Sequence, residues 1–274
     1  MKAPSLLVLT GFFQAADRAL GYATSLAAPL GARLVLLHVR RDSVLDPDAL
    51  SGVFSTLSGP ADRLALNSLA RHLPVPVVVE IGHGRMLPAV ADAVSRHQPV
   101  LIVLGRPDRD ELPDELASTT ALEILQHAPS PMLVVPLGLG HPAAPRRLLL
   151  AADGEPFTLG DYAGTARHLL GALRAELTVL HCAPDADASD AAAAAALEAV
   201  LQTGLAVDLA PPRLRQVVAA DPAEGILAAA RPADCDAVVL LARRRSVLGS
   251  LFHRSVTARV LLHSQVPVLV LPAE

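Results

Sequence analysis

Tryptophan is absent from this 274-residue chain, and Phe and Tyr bring the aromatics to only 3%. Its core must therefore be aliphatic, and it has little aromatic surface on which bases could stack. Lysine occurs once, as Lys2, against 22 arginines, a bias that reads as genome composition. Charged residues reach only 18%, and the formal charge of −4 gives no global attraction to nucleic acid or to acidic membranes. Cysteine occurs twice, at Cys182 and Cys235, far apart and without a CxxC pattern, which argues against a disulfide framework or a structural zinc site. Free thiols fit a reducing compartment, so a cytoplasmic protein is expected. The longest uncharged run, Ile124 to Pro145, carries five prolines and two histidines and cannot span a membrane. Near the start, the apolar run Leu6 to Phe13 between Lys2 and Ala15 faintly resembles a signal peptide. A buried first strand explains it better, given the repeat described next. What is abundant is apolar: 52% of residues, against roughly 45–50% in ordinary soluble proteins. That excludes disorder. The length suits two domains, or one large one, at roughly 100–200 residues per domain.

The chain repeats itself. Ala32-Arg33-Leu34-Val35-Leu36-Leu37-His38-Val39 aligns with Ala175-Glu176-Leu177-Thr178-Val179-Leu180-His181-Cys182, an offset of 143. At that offset Leu7-Val8-Leu9-Thr10-Gly11 faces Leu150-Ala151-Ala152-Asp153-Gly154. Later the offset is 136: Gln126 to Pro136 aligns with Leu262 to Pro272. A net loss of seven residues in the middle of the second copy reconciles the two. The copies span 1–137 and 146–274, joined by a Gly/Pro/Ala-rich linker from Leu137 to Pro145.

Each copy alternates short aliphatic runs with helix-period segments. In copy one the runs are Leu6–Thr10, Arg33–Val39, Val75–Ile81, Val100–Leu104 and Met132–Val135. In copy two they are Leu148–Ala152, Glu176–Cys182, Arg213–Ala219, Ala237–Leu241 and Val268–Leu271. Continuous rather than alternating apolar runs indicate strands buried on both faces. Their alternation with helices indicates a parallel sheet with right-handed crossovers. The fold class is α/β: two tandem five-stranded parallel-sheet α/β sandwiches. Ligands of such sheets sit outside the carboxyl ends of the strands, here at the turns after strands one and four.

The turn after strand one is Thr10-Gly11 in copy one and Asp153-Gly154 in copy two. A carboxylate there can accept hydrogen bonds from ribose hydroxyls, or it can simply form an Asx-turn. The loop after strand four is acidic in copy one, with Asp108, Asp110 and Glu111, and basic in copy two, with Arg243, Arg244, Arg245, His253 and Arg254. Both loops end on a hydroxyl at a helix start, Thr119 and Ser255, suited to capping the helix or to seating an anion at its N-terminus. Forked guanidiniums in the basic loop suit phosphate, and a solvated charged loop is the plain alternative. His38/His181 and His127/His263 recur at matching positions and read as structural. No metal-ligand spacing and no GxSxG nucleophile elbow occurs, and Gly82-His83-Gly84-Arg85 reads as a turn.

The strand-two endings Leu37-His38-Val39 and Leu180-His181-Cys182 carry a family likeness, as do the closing patterns Ile124 to Val134 and Val260 to Val270. The chain resembles the universal stress protein family in its tandem two-domain form, over nearly its whole length. The resemblance implies a nucleotide-binding, adenine nucleotide alpha hydrolase-like fold. It implies a Gly-x2-Gly-x9-Gly-Ser/Thr phosphate loop after strand four. Copy one offers Gly105, Asp108, Ser118 and Thr119 at those positions, and copy two Leu241, Arg244, Arg254 and Ser255. The family's strand-one aspartate matches Asp153 but is Thr10 in copy one, and the residue beside the adenine would be Val39 or Cys182. Carboxylates in the copy-one loop would repel a triphosphate. In copy two the resemblance implies ATP or another adenine nucleotide at Asp153, Cys182 and Ser255, and the guanidiniums of Arg243, Arg244 and Arg254 can stand in for the missing glycine cradle; no catalytic and no metal-binding residue is expected.

Two functions are therefore expected to compete. One is a stress-response protein without turnover, acting by binding and assembly, its nucleotide sites degenerate. The other is an ATP-binding switch or weak ATPase using copy two. The partner expected is the chain itself: an intramolecular pseudo-dimer through the fifth strands Met132–Val135 and Val268–Leu271, with a homodimer as a further level. Membrane and nucleic acid are not expected partners.

Overall fold

The computed structural model describes residues 3–10, 14–40, 59–106, 121–125, 130–138, 142–184, 190–243 and 255–274. Copy one contains β1 (Ser5–Thr10), α1 (Gln14–Leu30), β2 (Arg33–Arg40), α2 (Gly59–Arg71), β3 (Val77–His83), α3 (Met86–His97), β4 (Leu101–Arg106) and β5 (Met132–Pro136). Residues 121–125, between β4 and β5, are helical. Copy two contains β6 (Arg147–Ala151), α4 (Ala163–Leu173), β7 (Glu176–Ala183), α5 (Asp190–Gln202), β8 (Arg213–Val218), α6 (Pro222–Ala229), β9 (Ala237–Arg243), α7 (Val256–His263) and β10 (Val268–Ala273). A 3-10 turn, Gly160–Tyr162, leads into α4.

The ten strands form one continuous sheet in the order β3-β2-β1-β4-β5-β10-β9-β6-β7-β8. All neighbours are parallel except β5 and β10, which run antiparallel with Val134 opposite Val268 and Met132 opposite Val270. The pseudo-dimer expected from the fifth strands is thus built within the chain. Each copy's fifth strand, which would otherwise be an open edge, is covered by the other. The outermost strands, β3 and β8, are only half-buried.

Side-chain alternation along the strands splits the core into two layers, each running through both copies. On one face, Leu6, Val8, Leu34 and Leu36 pack under α1, and Leu148, Leu150 and Val179 pack under α4 and α5. On the other, Leu7, Leu9, Val35 and Leu37 pack under α3 and residues 121–125, and Val238 and Leu240 under α6 and α7. Leu6, Val8, Leu34, Leu36, Leu150 and Val239 are wholly buried, which is why these strands read as unbroken aliphatic runs. Leu6 to Thr10, the first part of the apolar run near the start of the chain, lies in β1, inside this sheet.

The seam has more than strands in it. Helices α1 and α4 pack on each other across it. Arg106, the last residue of β4, reaches into copy two and donates to Leu261 O at 2.6 Å and Ser264 O at 2.7 Å, closing the C-terminal turn of α7. The start of β6 is tied to the start of β9 by Asp236. This carboxylate accepts from the backbone N–H of Arg146 (2.8 Å) and Arg147 (2.9 Å) and from the Arg147 guanidinium (2.6 Å). Burial pushes the Asp236 carboxyl up, but these donors outweigh it and hold the group below the usual range.

Strand pairing also refines the repeat. Leu6 lies opposite Leu34 and Leu101, and Leu148 opposite Leu177 and Ala237. Strand one is therefore offset by 142 (148 minus 6), strand two by 143 (177 minus 34) and strand four by 136 (237 minus 101). Thr10 sits level with Ala152, and Asp153 corresponds to Gly11, one place from the alignment read in the sequence. The cause is one extra residue in copy two between strands one and two, where the connection from β6 to α4 is long. Val35 faces Val78 and Thr178 faces Arg213, so strand three is offset by 135 (213 minus 78), and copy two's shortening falls between strands two and three.

Candidate functional site

In copy two, β6 and β9 lie side by side, so the residues just past their carboxyl ends meet. Asp153 opens the turn after β6. Its Oδ1 accepts from Glu155 N at 3.1 Å, an Asx-turn, while Gly154 takes a left-handed backbone with φ 90°. A Cβ at Gly154 would stand 3.3 Å from Ala192 O, so α5 closes directly over this turn. Arg243 ends β9, and its side chain is only 11% exposed. Its guanidinium donates to Asp153 Oδ1 at 2.8 Å, to Glu155 O at 2.9 Å and to the Glu155 carboxylate. The expected ribose acceptor and the expected phosphate donor thus bind each other. Glu155, which joins them, was not among the residues singled out from sequence. The available signal was adjacency: strands one and four are neighbours, so opposite charges at their ends can meet.

Cys182 and Ser255, also expected in the site, make contacts of their own. Cys182, near the end of β7, faces α6. Its Sγ lies 3.7 Å from Pro222 O and 2.9 Å from where a Gly225 Cβ would be. Burial pushes its thiol up to about 11, so it is protonated and a poor nucleophile near neutral pH. Ser255 caps α7, its Oγ accepting from Ala258 N at 3.1 Å. Arg244 and Arg254 lie outside the described residues, as do Asp108, Ser118 and Thr119 of copy one. Among the described residues no group of three His, Cys, Asp or Glu is placed to hold a metal ion.

Copy one differs at the same end of the sheet. Thr10 donates from Oγ1 to Leu37 O at 3.1 Å, and His38 Nδ1 lies 3.3 Å from Thr10 O. His181 repeats the second contact, 3.2 Å from Ala152 O. The recurring histidines pin the end of each second strand to the first, which a carbonyl partner allows only if Nδ1 carries the proton. Beside Thr10 and His38 opens a cleft of about 240 Å³, walled by Asp17 and Leu20 of α1 and by Leu66 and Leu69 of α2.

The profile of the universal stress protein family matches residues 4–136 and again residues 145–272. The chain belongs to the universal stress protein family. Among solved structures, this universal stress protein is similar to one from Archaeoglobus fulgidus (16% identity, 99% of each chain covered, TM-score 0.72). It is also similar to a protein of unknown function from Pseudomonas aeruginosa (18% identity, 98% of this chain and 92% of that chain covered, TM-score 0.60). A family member from Arabidopsis thaliana solved with AMP bound covers half as much: 48% of this chain and 91% of its own, at 14% identity and a TM-score of 0.34. These likenesses concern the fold. None of the curated proteins matches the sequence. Among the described residues of this universal stress protein, no helix is long and apolar enough to cross a membrane.

Proposed function

We propose that this universal stress protein acts in the stress response by binding and assembly, without turnover, and that both of its nucleotide positions are degenerate. The observation that carries the reading is the Arg243 guanidinium seated on Asp153 and Glu155. A nucleotide using Asp153 must first displace a guanidinium that makes three contacts among the described residues, one of them to a backbone oxygen. Copy two has no glycines at the phosphate-loop positions to offer backbone N–H groups in return. Copy one lacks the aspartate altogether, with Gly11 at that place. The protein is then a self-paired scaffold whose outer strands β3 and β8 are left for further association, including a homodimer. Its two free cysteines suit the cytoplasm.

Calorimetric titration with ATP and Mg²⁺ tests this on the wild type and on Asp153→Ala. No binding up to millimolar ligand is expected for either, and no phosphate release. Wild-type binding that Asp153→Ala abolishes would support the second reading, an ATP-binding switch. In that case Arg243 would exchange its carboxylates for phosphates, with Ser255 at the start of α7 below them.

A further inference from the structure

The cleft of copy one lies on the face of the sheet opposite to the one on which the resemblance places an adenine. Thr10 and His38 continue the rows Leu6-Val8 and Leu34-Leu36, which face α1. Val39 belongs to the other row and packs with Leu7, Leu9, Val35 and Leu37 on the α3 face. Copy two is walled differently at the equivalent place. Ala152 and His181 occupy the equivalent positions, and α5 closes over the turn that follows Ala152: beyond the Ala192 contact, a Gly154 Cβ would lie 3.8 Å from Ala195 Cβ. In copy one α2 presents leucines where α5 of copy two presents an alanine run.

The polar lining is Thr10, Asp17 and His38, whose Nδ1 is engaged with Thr10 O. Thr10 has committed its hydroxyl proton to Leu37 O, so its oxygen turns lone pairs outward. Asp17, in the first turn of α1, is exposed and makes no ion pair among the described residues. It is the one carboxylate among the described residues that line the cleft. Leu20, Leu66 and Leu69 supply an aliphatic wall. Oxygen acceptors, one of them a carboxylate, beside aliphatic surface suit a molecule with N–H donors at its head and a short aliphatic body.

We propose that this cleft binds a small organic ammonium ion, its head on Asp17 and Thr10 and its body against Leu20, Leu66 and Leu69. Three probes of similar shape decide it in titrations followed by calorimetry or NMR: pentylammonium, pentanol and pentanoate. Pentylammonium is expected to bind about tenfold more tightly than pentanol, as a charge-assisted contact requires, with pentanoate weakest. Asp17→Asn should bring pentylammonium down to the level of pentanol. Ala65→Leu, at an exposed lining position of α2, should fill the cleft and remove binding of both, with the melting temperature unchanged. Asp153→Ala, in the other copy, should leave pentylammonium binding as it is. Absence of pentylammonium binding, equal affinity for the three probes, or an Asp17→Asn variant that binds pentylammonium like the wild type would overturn the proposal. The Asp17→Asn arm stands even if Ala65→Leu fails to fold.

Discussion

Replacing Arg106 by Ala should loosen the two halves of the chain from each other. The guanidinium belongs to copy one, yet both carbonyls it serves, Leu261 O and Ser264 O, belong to copy two. They lie at the C-terminal end of α7, where backbone acceptors have no partner within the helix and the helix dipole favours a cation. Two hydrogen bonds from a charged donor contribute about 1.5 kcal/mol each at the low end, or about 3 kcal/mol together. Arg106 is partly exposed, so water reaches the stranded carbonyls and returns part of this, leaving a net loss of about 2 kcal/mol. At about 2–4 °C per kcal/mol for a chain of this size, the melting temperature should fall by about 4–8 °C. Arg106→Lys should lose about half as much, because an ammonium cannot fork to two carbonyls as a guanidinium does. Differential scanning calorimetry measures both. It should also show the Arg106→Ala transition broadening as the halves uncouple. A variant melting within about 1 °C of the wild type, against the shift expected above, would mean that β5–β10 pairing and α1–α4 packing hold the seam unaided.

Other substitutions probe single features. Gly154→Ala forces a side chain into a left-handed backbone beneath Ala192 O and should cost about 1–2 kcal/mol, read as a lower urea midpoint with an unchanged slope. Gly225→Ala would bring a Cβ to 2.8 Å from Ala219 Cβ and 2.9 Å from Cys182 Sγ, and should destabilise by about 1–3 kcal/mol through overpacking. The Tyr22 hydroxyl is buried without a hydrogen-bond partner among the described residues. Tyr22→Phe should therefore leave stability unchanged or raise it by up to about 1 kcal/mol in chemical denaturation. The Asp236 carboxyl titrates lower folded than unfolded, so its contribution is present above its unfolded value and lost as pH falls through the folded one. Asp236→Asn should accordingly flatten the acid limb of the stability–pH curve below about pH 4, with little change of slope near neutrality.

The fold was largely legible because buried parallel strands demand continuous aliphatic runs, and Leu34–Leu37 or Val238–Leu240 admit little else. The edge strand β8 was harder, since Arg213 and Arg215 can lie on a half-exposed strand or in a loop. The family likeness singled out the ends of strands one and four, which the fold brings side by side in copy two. It did not reveal that Asp153 and Arg243 would satisfy each other, because a motif assigns a residue to an absent ligand and is silent about a neighbour that reaches it first. Nor was the one-residue shift between Thr10 and Asp153 visible. An extra residue in a connection leaves no trace in aliphatic strands that align equally well in either register, and only hydrogen-bonded pairing resolves it. The copy-one cleft depends on how closely a helix approaches the sheet, a distance that composition does not encode.

The Arg106 contact joins the two halves asymmetrically. By strand pairing its counterpart in copy two is Ala242, whose methyl has no donor to return the cap, so the seam is pseudo-symmetric and not self-complementary. Two separate identical subunits cannot make such a join without repeating it on both sides. Within one chain the constraint disappears: a short tether holds the halves at an effective concentration on the order of millimolar, so their pairing is insensitive to dilution and neither half can exchange with another molecule's. Each half then has a single permanent mate to fit. Drift is free to give one half a closed, charge-neutralised strand end and the other an open cleft.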